Sequence, residues 1–232
     1  MLNSLFTETP LWVFAVGALV LLVLIFLREP IWRAIGVLAQ IGVWVGGVLL
    51  FAAAIIVTAE VFVRKAAGAI IGSRFIFSGS DEISGYLFAV GTSLSMAHVL
   101  VTRGHIRIDV LYGQFSPKVR SIMDIIALTV MAIFVAVLLE RVINVASTSY
   151  VEQLRSNTQL RIPLAWSQIP WAFGIGLFFL SIMVALIRSI AALAKGDFNA
   201  VNAISGVPTT QEEIESEIKG MVTGHGAPKA GA

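Results

Sequence analysis

Three histidines, fourteen Asp and Glu side chains and no cysteine make up the groups able to move protons or hold metals in this 232-residue chain. Without cysteine there is no disulfide, no thiolate nucleophile and no cysteine-ligated metal. His98, His105 and His225 lack the spacing and the accompanying carboxylates of a metal site. No glycine-rich phosphate loop and no nucleophile elbow is present. A membrane-embedded enzyme would concentrate His, Asp or Glu on one face, and this chain does not. It reads as a protein without catalytic residues, cofactor or metal.

Transport chemistry needs a polar place for the cargo. An ionisable side chain at mid-membrane costs about 3 kcal/mol, so it stays only where it works. Glu60, Asp124, Glu140 and Arg141 all fall within a turn or two of an apolar run's end, where long side chains reach the interface. His98 is the one candidate for a proton relay. It lies about a turn from Arg103 and reads better as a histidine bonded near the interface. A self-contained carrier built from broken helices in two related halves needs a repeat and a buried charge, and neither is seen.

The elements that hold these residues are helices in lipid. The chain is 57% hydrophobic and 13% charged, with a mean hydropathy of +0.89. A soluble domain carries about 25% charged residues, so too little polar surface remains for water. The net charge of +2 is too small to argue for nucleic acid. A span takes about 20 apolar residues. Five stretches fit: Leu11 to Leu27, Ala34 to Phe62, Ile83 to Thr102, Ile122 to Leu139 and Ser167 to Ile187. The first is short, and it either spans or lies against the others. It has no basic region before it and no small-residue cleavage pattern after it, so it reads as a retained helix and not a signal peptide. The fold class is an all-α integral membrane protein.

Arg103, Arg107, Lys118 and Arg120 crowd the link between the third and fourth stretches, which places that link in the cytoplasm. Arg28, Arg33, Arg188 and Lys195 then fall on the same side, with the N-terminus and residues 63–82 and 142–166 outside. Arg64, Lys65 and Arg74 run against this balance. Residues 70–77 and 106–115 are too apolar for wet loops and too short to span, so they are expected to lie in the head-group plane. Thr209 with Glu212, or Thr210 with Glu213, forms a capping box for an acidic helix over 211–221. The Gly/Ala/Pro-rich end reads as disordered. Three parts result: an N-terminal helix and link over 1–33, a four-helix unit over 34–195 and a tail over 196–232. Gly42 and Gly46, and again Gly91 and Ser95, put small residues four apart, which allows helices to approach closely. Their partner is either another helix of this chain or a second protein. Trp32, Trp166 and Trp171 sit near span ends as interfacial anchors do.

The middle of the chain resembles a known family. Glu82, then a span, then R-G-H-I-R-I-D at Arg103–Asp109 and L-Y-G-Q-F-S-P-K-V-R to Arg120, is similar to the small membrane subunit of tripartite ATP-independent periplasmic (TRAP) transporters. R-I-P-L-A-W at Arg161–Trp166, containing Pro163, resembles that family's I-P-L-W segment, and Arg64 matches an arginine common there. The likeness covers about Gln40 to Arg188. It implies four spans, so the first helix here is an addition. It also implies a bacterial inner-membrane scaffold that binds a large permease subunit, in a system where a periplasmic binding protein delivers an organic acid for sodium-coupled import. On this resemblance Arg64, Glu82, Arg103, His105, Asp109 and Pro163 are structural or partner contacts, with Arg103 or Arg107 pairing with Asp109. A self-sufficient small transporter and a membrane assembly factor remain the other readings.

Overall fold

In a computed structural model, the structure describes residues 28–70, 79–104, 115–158 and 160–206, with Ile214 and Ile218. The segment 11–27, most of the two expected head-group stretches, Arg74, His105, Arg107, Asp109, His225 and most of the acidic tail helix lie outside the described residues.

Among the described residues five helical elements follow in order: α1 Arg28–Ile70, α2 Ser80–Val101, α3 Pro117–Val151, α4 Ala165–Ala194 and α5 Phe198–Ser205. Among the described residues, four helices are long and apolar enough to cross a membrane. The chain is an all-α bundle of membrane-spanning length. Only α2 matches the expected bounds closely. α1 runs past Phe62, α3 starts before Ile122 and continues past Leu139, and α4 outlasts Ile187. Hydropathy marks where a helix leaves hydrocarbon, whereas the backbone stays helical until a residue caps it. Residues 142–151 contain no Gly or Pro, and nothing there stops α3.

Three helices end alike. α2 closes with the Arg103 and Gly104 N–H groups donating to the Leu100 and Val99 carbonyls at 3.1 and 2.8 Å. α4 closes with Gly196 and Asp197 donating to Leu193 and Ala192 at 2.9 and 3.1 Å. At the end of α3, Leu154 N–H reaches Ser149 at 3.0 Å, and the Gln153 side-chain amide donates to the Tyr150 carbonyl at 2.7 Å. This fold-back needs a left-handed residue just past the helix. Gly196 takes that place freely at φ 73°, whereas Arg103 (58°) and Gln153 (52°) hold it against about 1 kcal/mol of steric strain.

The helices do not pack in chain order. α1 lies on α2, α2 on α4 and α4 on α3, while α5 rests on α3 and α4. The main buried cluster joins Leu128, Ala132 and Val135 of α3 to Ile175, Phe178, Ile182 and Ala185 of α4. Smaller clusters join Ile35 to Val184, and Ala39 to Ala97 and Leu177. The far sides of α1 and α3 stay apolar and exposed, with Trp44, Phe51 and Phe62 on one and Val130, Ile133 and Phe134 on the other. That is what lipid or a membrane partner requires, and what water would not tolerate.

Candidate functional site

The described bundle has a glycine-lined seam, a dry middle and two polar ends. In the seam, Gly46 of α1 and Gly91 of α2 face each other. A Cβ on Gly46 would sit 2.5 Å from the Gly91 carbonyl oxygen, and one on Gly91 would sit 2.9 Å from the Gly46 oxygen. A Cβ on Gly42 would lie 2.6 Å from the Leu94 carbonyl oxygen. Ser95 turns its hydroxyl back to the Gly91 carbonyl at 2.9 Å and crowds the same spot. These contacts lie within the chain.

At the middle, buried hydroxyls are spent on their own helices. Ser93 donates to Val90 at 2.9 Å and Ser181 to Leu177 at 2.7 Å, and the partly exposed Thr92 does the same to Phe88 at 2.8 Å. Such back-bonding satisfies the group without offering it to a cargo.

One polar end gathers the C-terminal part of α1, the start of α2 and the α3–α4 link. Glu60 accepts from Arg64, one turn on, and from Ser80 at the head of α2. Arg64 therefore leans on its own helix while remaining half-exposed. Glu82 accepts from Tyr86 at 2.6 Å and from Thr158 of the link. The link doubles back on itself: Ser156 N–H donates to Ile162 at 2.9 Å, Leu164 N–H donates to Leu154 at 3.0 Å, and Pro163 pairs with Arg155. Arg161 holds a left-handed backbone at φ 47° within it. Glu82, Thr158 and Pro163, far apart in sequence, thus belong to one corner.

The opposite end is built on α5. Asp197 caps it by accepting from Ala200 N–H at 2.9 Å, and Val201 and Ser205 are buried beneath it. The Ser121 hydroxyl of α3, 2.9 Å from the Pro117 carbonyl, also stands 3.1 Å from the Phe198 carbonyl and from the Asn202 amide oxygen, so its one proton is shared among them, while Lys118 lies 5.5 Å from the Phe198 ring centre. Asp124 is 1% exposed and engaged with a partner. A carboxylate reaching out to the interface was expected there, but α3 begins at Pro117, so Asp124 lies two turns inside and faces the bundle. Arg103 also faces this end and is engaged. Arg188 stacks over Trp32 at 4.8 Å and stands 3.4 Å from Glu29.

Sequence reading passed over three features. Gly174 of α4 is one: a Cβ there would lie 2.7 Å from the Ser93 backbone carbonyl carbon and 2.8 Å from the Leu94 nitrogen, so it sets the α2–α4 approach. Its signal was a lone glycine in an apolar run. The second is α5, whose Asp197 cap ahead of Phe198, Val201 and Ser205 was a readable start signal. The third, the burial of Asp124, had no local signal at all.

No curated protein and no solved structure matches the chain. The family described as "Tripartite ATP-independent periplasmic transporters, DctQ component" matches residues 53–192, more than half of the chain, from the middle of α1 to near the end of α4. The chain therefore belongs to the DctQ component family of tripartite ATP-independent periplasmic transporters.

Proposed function

We propose that this chain is the small scaffold subunit of its transporter. It braces a large permease subunit in the bacterial inner membrane during sodium-coupled import of an organic acid delivered by a periplasmic binding protein. The observation that carries this reading is the filling of the bundle's middle. Leu128, Ala132, Val135, Ile175, Phe178 and Ile182 close the interior, and among the described residues Asp124, near one end, is the only buried ionisable side chain. Cargo with a carboxylate needs charge or aligned backbone groups along its path, and this interior provides none at mid-depth.

In this reading residues 34–195 form the bracing unit, 1–33 an added helix and its link, the link from Arg28 on being the first turns of α1, and 196–232 a cytoplasmic tail, with the Glu82 end in the periplasm. Arg64 and the α3–α4 link face the binding protein. Glu82 and Pro163 shape that corner, while Arg103, with His105 and Asp109, shapes the cytoplasmic turn. The exposed apolar sides of α1 and α3 offer the area a large membrane partner requires.

Purification of the full chain from its native membrane in mild detergent tests this: a much larger membrane protein is expected to accompany it. Vesicles holding this chain alone are expected to show no uptake. Uptake by those vesicles, abolished in a His98→Ala variant, would establish a self-sufficient carrier instead.

A further inference from the structure

The C-terminal end of α4, the first turn of α1 and the start of α5 enclose a recess of about 190 Å³. Ala191, Ala192, Ala200 and Ile204 line it together with the charged side chains of Glu29, Arg188, Lys195 and Asp197. We propose that this recess binds the head group of a zwitterionic phospholipid bearing a primary amine. The proposal stands on this geometry and is independent of the transport reading.

Depth comes first. The apolar run of α4 ends at Ile187, and the helix continues about two turns to Ala194. Those turns must emerge where hydrocarbon gives way to head groups. Trp32, an indole suited to that level, lies directly against Arg188.

Charge then selects the ligand. The recess holds two cations and two carboxylates, so its formal sum is zero. Arg188 is fixed in place by Trp32 and Glu29, and its side chain is only 20% exposed. One contact to Glu29 leaves a five-donor guanidinium with capacity for a phosphate oxygen. Lys195 caps α4, is exposed and has no ion-pair partner among the described residues. Asp197 spends Oδ1 on the Ala200 N–H, which leaves Oδ2 to accept a second donor. A free phosphate or an anionic lipid would gain from Arg188 and Lys195 but meet repulsion from Glu29 and Asp197. A head group carrying a phosphodiester and a primary ammonium satisfies both signs. Its ammonium donates hydrogen bonds to carboxylates, which a trimethylated amine lacks the protons to do.

Native mass spectrometry of the full chain, equilibrated with equal amounts of phosphatidylethanolamine, phosphatidylcholine and phosphatidylglycerol, tests the proposal. Phosphatidylethanolamine is expected to be retained about fivefold over each of the others. Lys195→Ala is expected to lower its retention by about the same factor. Asp197→Asn keeps a good helix cap while removing the charge, so it is expected to erase the ethanolamine-over-choline preference without changing the unfolding temperature. Inorganic phosphate at millimolar concentration is expected to leave the bound lipid in place. Equal or greater retention of phosphatidylglycerol, an unchanged preference in Asp197→Asn, or displacement by inorganic phosphate would each overturn it.

Discussion

The α1–α2 seam and the α3–α4 seam join helices of membrane-spanning length by opposite means. In the first, Gly42, Gly46 and Gly91 let one backbone approach another, and a main-chain oxygen stands in the way of a Cβ at each of the three. In the second, Leu128, Val135, Phe178 and Ile182 interlock as side chains. Lipid tails solvate leucine as well as another helix does, so apolar burial alone gives little drive to associate. Each seam must win by contact quality, through near approach in one and volume filling in the other. Their tolerance of change differs accordingly, because side chains can shift but a carbonyl cannot.

Gly46→Leu is expected to have the largest effect. The blocking atoms are the Ser95 hydroxyl oxygen and the Gly91 carbonyl oxygen, and the carbonyl cannot rotate away, so the loss in stability, read by reversible unfolding in detergent, exceeds the about 3 kcal/mol that ordinary overpacking costs. A loss below 1 kcal/mol would mean the seam is looser than its geometry. Phe178→Ala in the other seam is expected to cost about 2 kcal/mol by the same measurement. That lies below the roughly 3–5 kcal/mol of a soluble core, because lipid solvates the separated helices. Gly47→Leu sharpens the contrast. Gly47 neighbours Gly46, yet a Cβ there meets nothing within 4 Å. The substitution is expected to stabilise the isolated chain by up to about 1 kcal/mol through helix propensity. If α1 carries the large subunit on that side, it is also expected to weaken co-purification. Smallest is Thr158→Val, which removes the hydrogen bond to Glu82 and the acceptor of the Ser156 hydroxyl within the exposed link, and is expected to cost about 0.6 kcal/mol. Faster hydrogen exchange in the α3–α4 link would accompany it.

Much of this was legible before any coordinates. Long uncharged runs gave the four described spans, because lipid demands that each backbone satisfy itself within a helix. Gly42, Gly46 and Gly91 advertised a near approach, though only the fold shows them facing one another. The grouping of Glu82 with Thr158 and Pro163 was hidden, since residues some 76 apart meet only when α4 lies against α2. Asp124 misled for a related reason. Its distance from the end of an apolar run was readable, but the direction it faces depends on where Pro117 starts the helix and on α5 covering that side.

The order of packing carries a consequence for how the protein is made. α3 rests chiefly on α4 and α5, and among the described residues α4 is the last long helix to be synthesised. On leaving the ribosome, α1 and α2 can pair at once. α3 must wait in the bilayer, unmatched, until its neighbour is inserted. Biogenesis thus has a late commitment step, and a chain cut short before α4 would leave a solitary helix for the membrane's quality-control proteases to find.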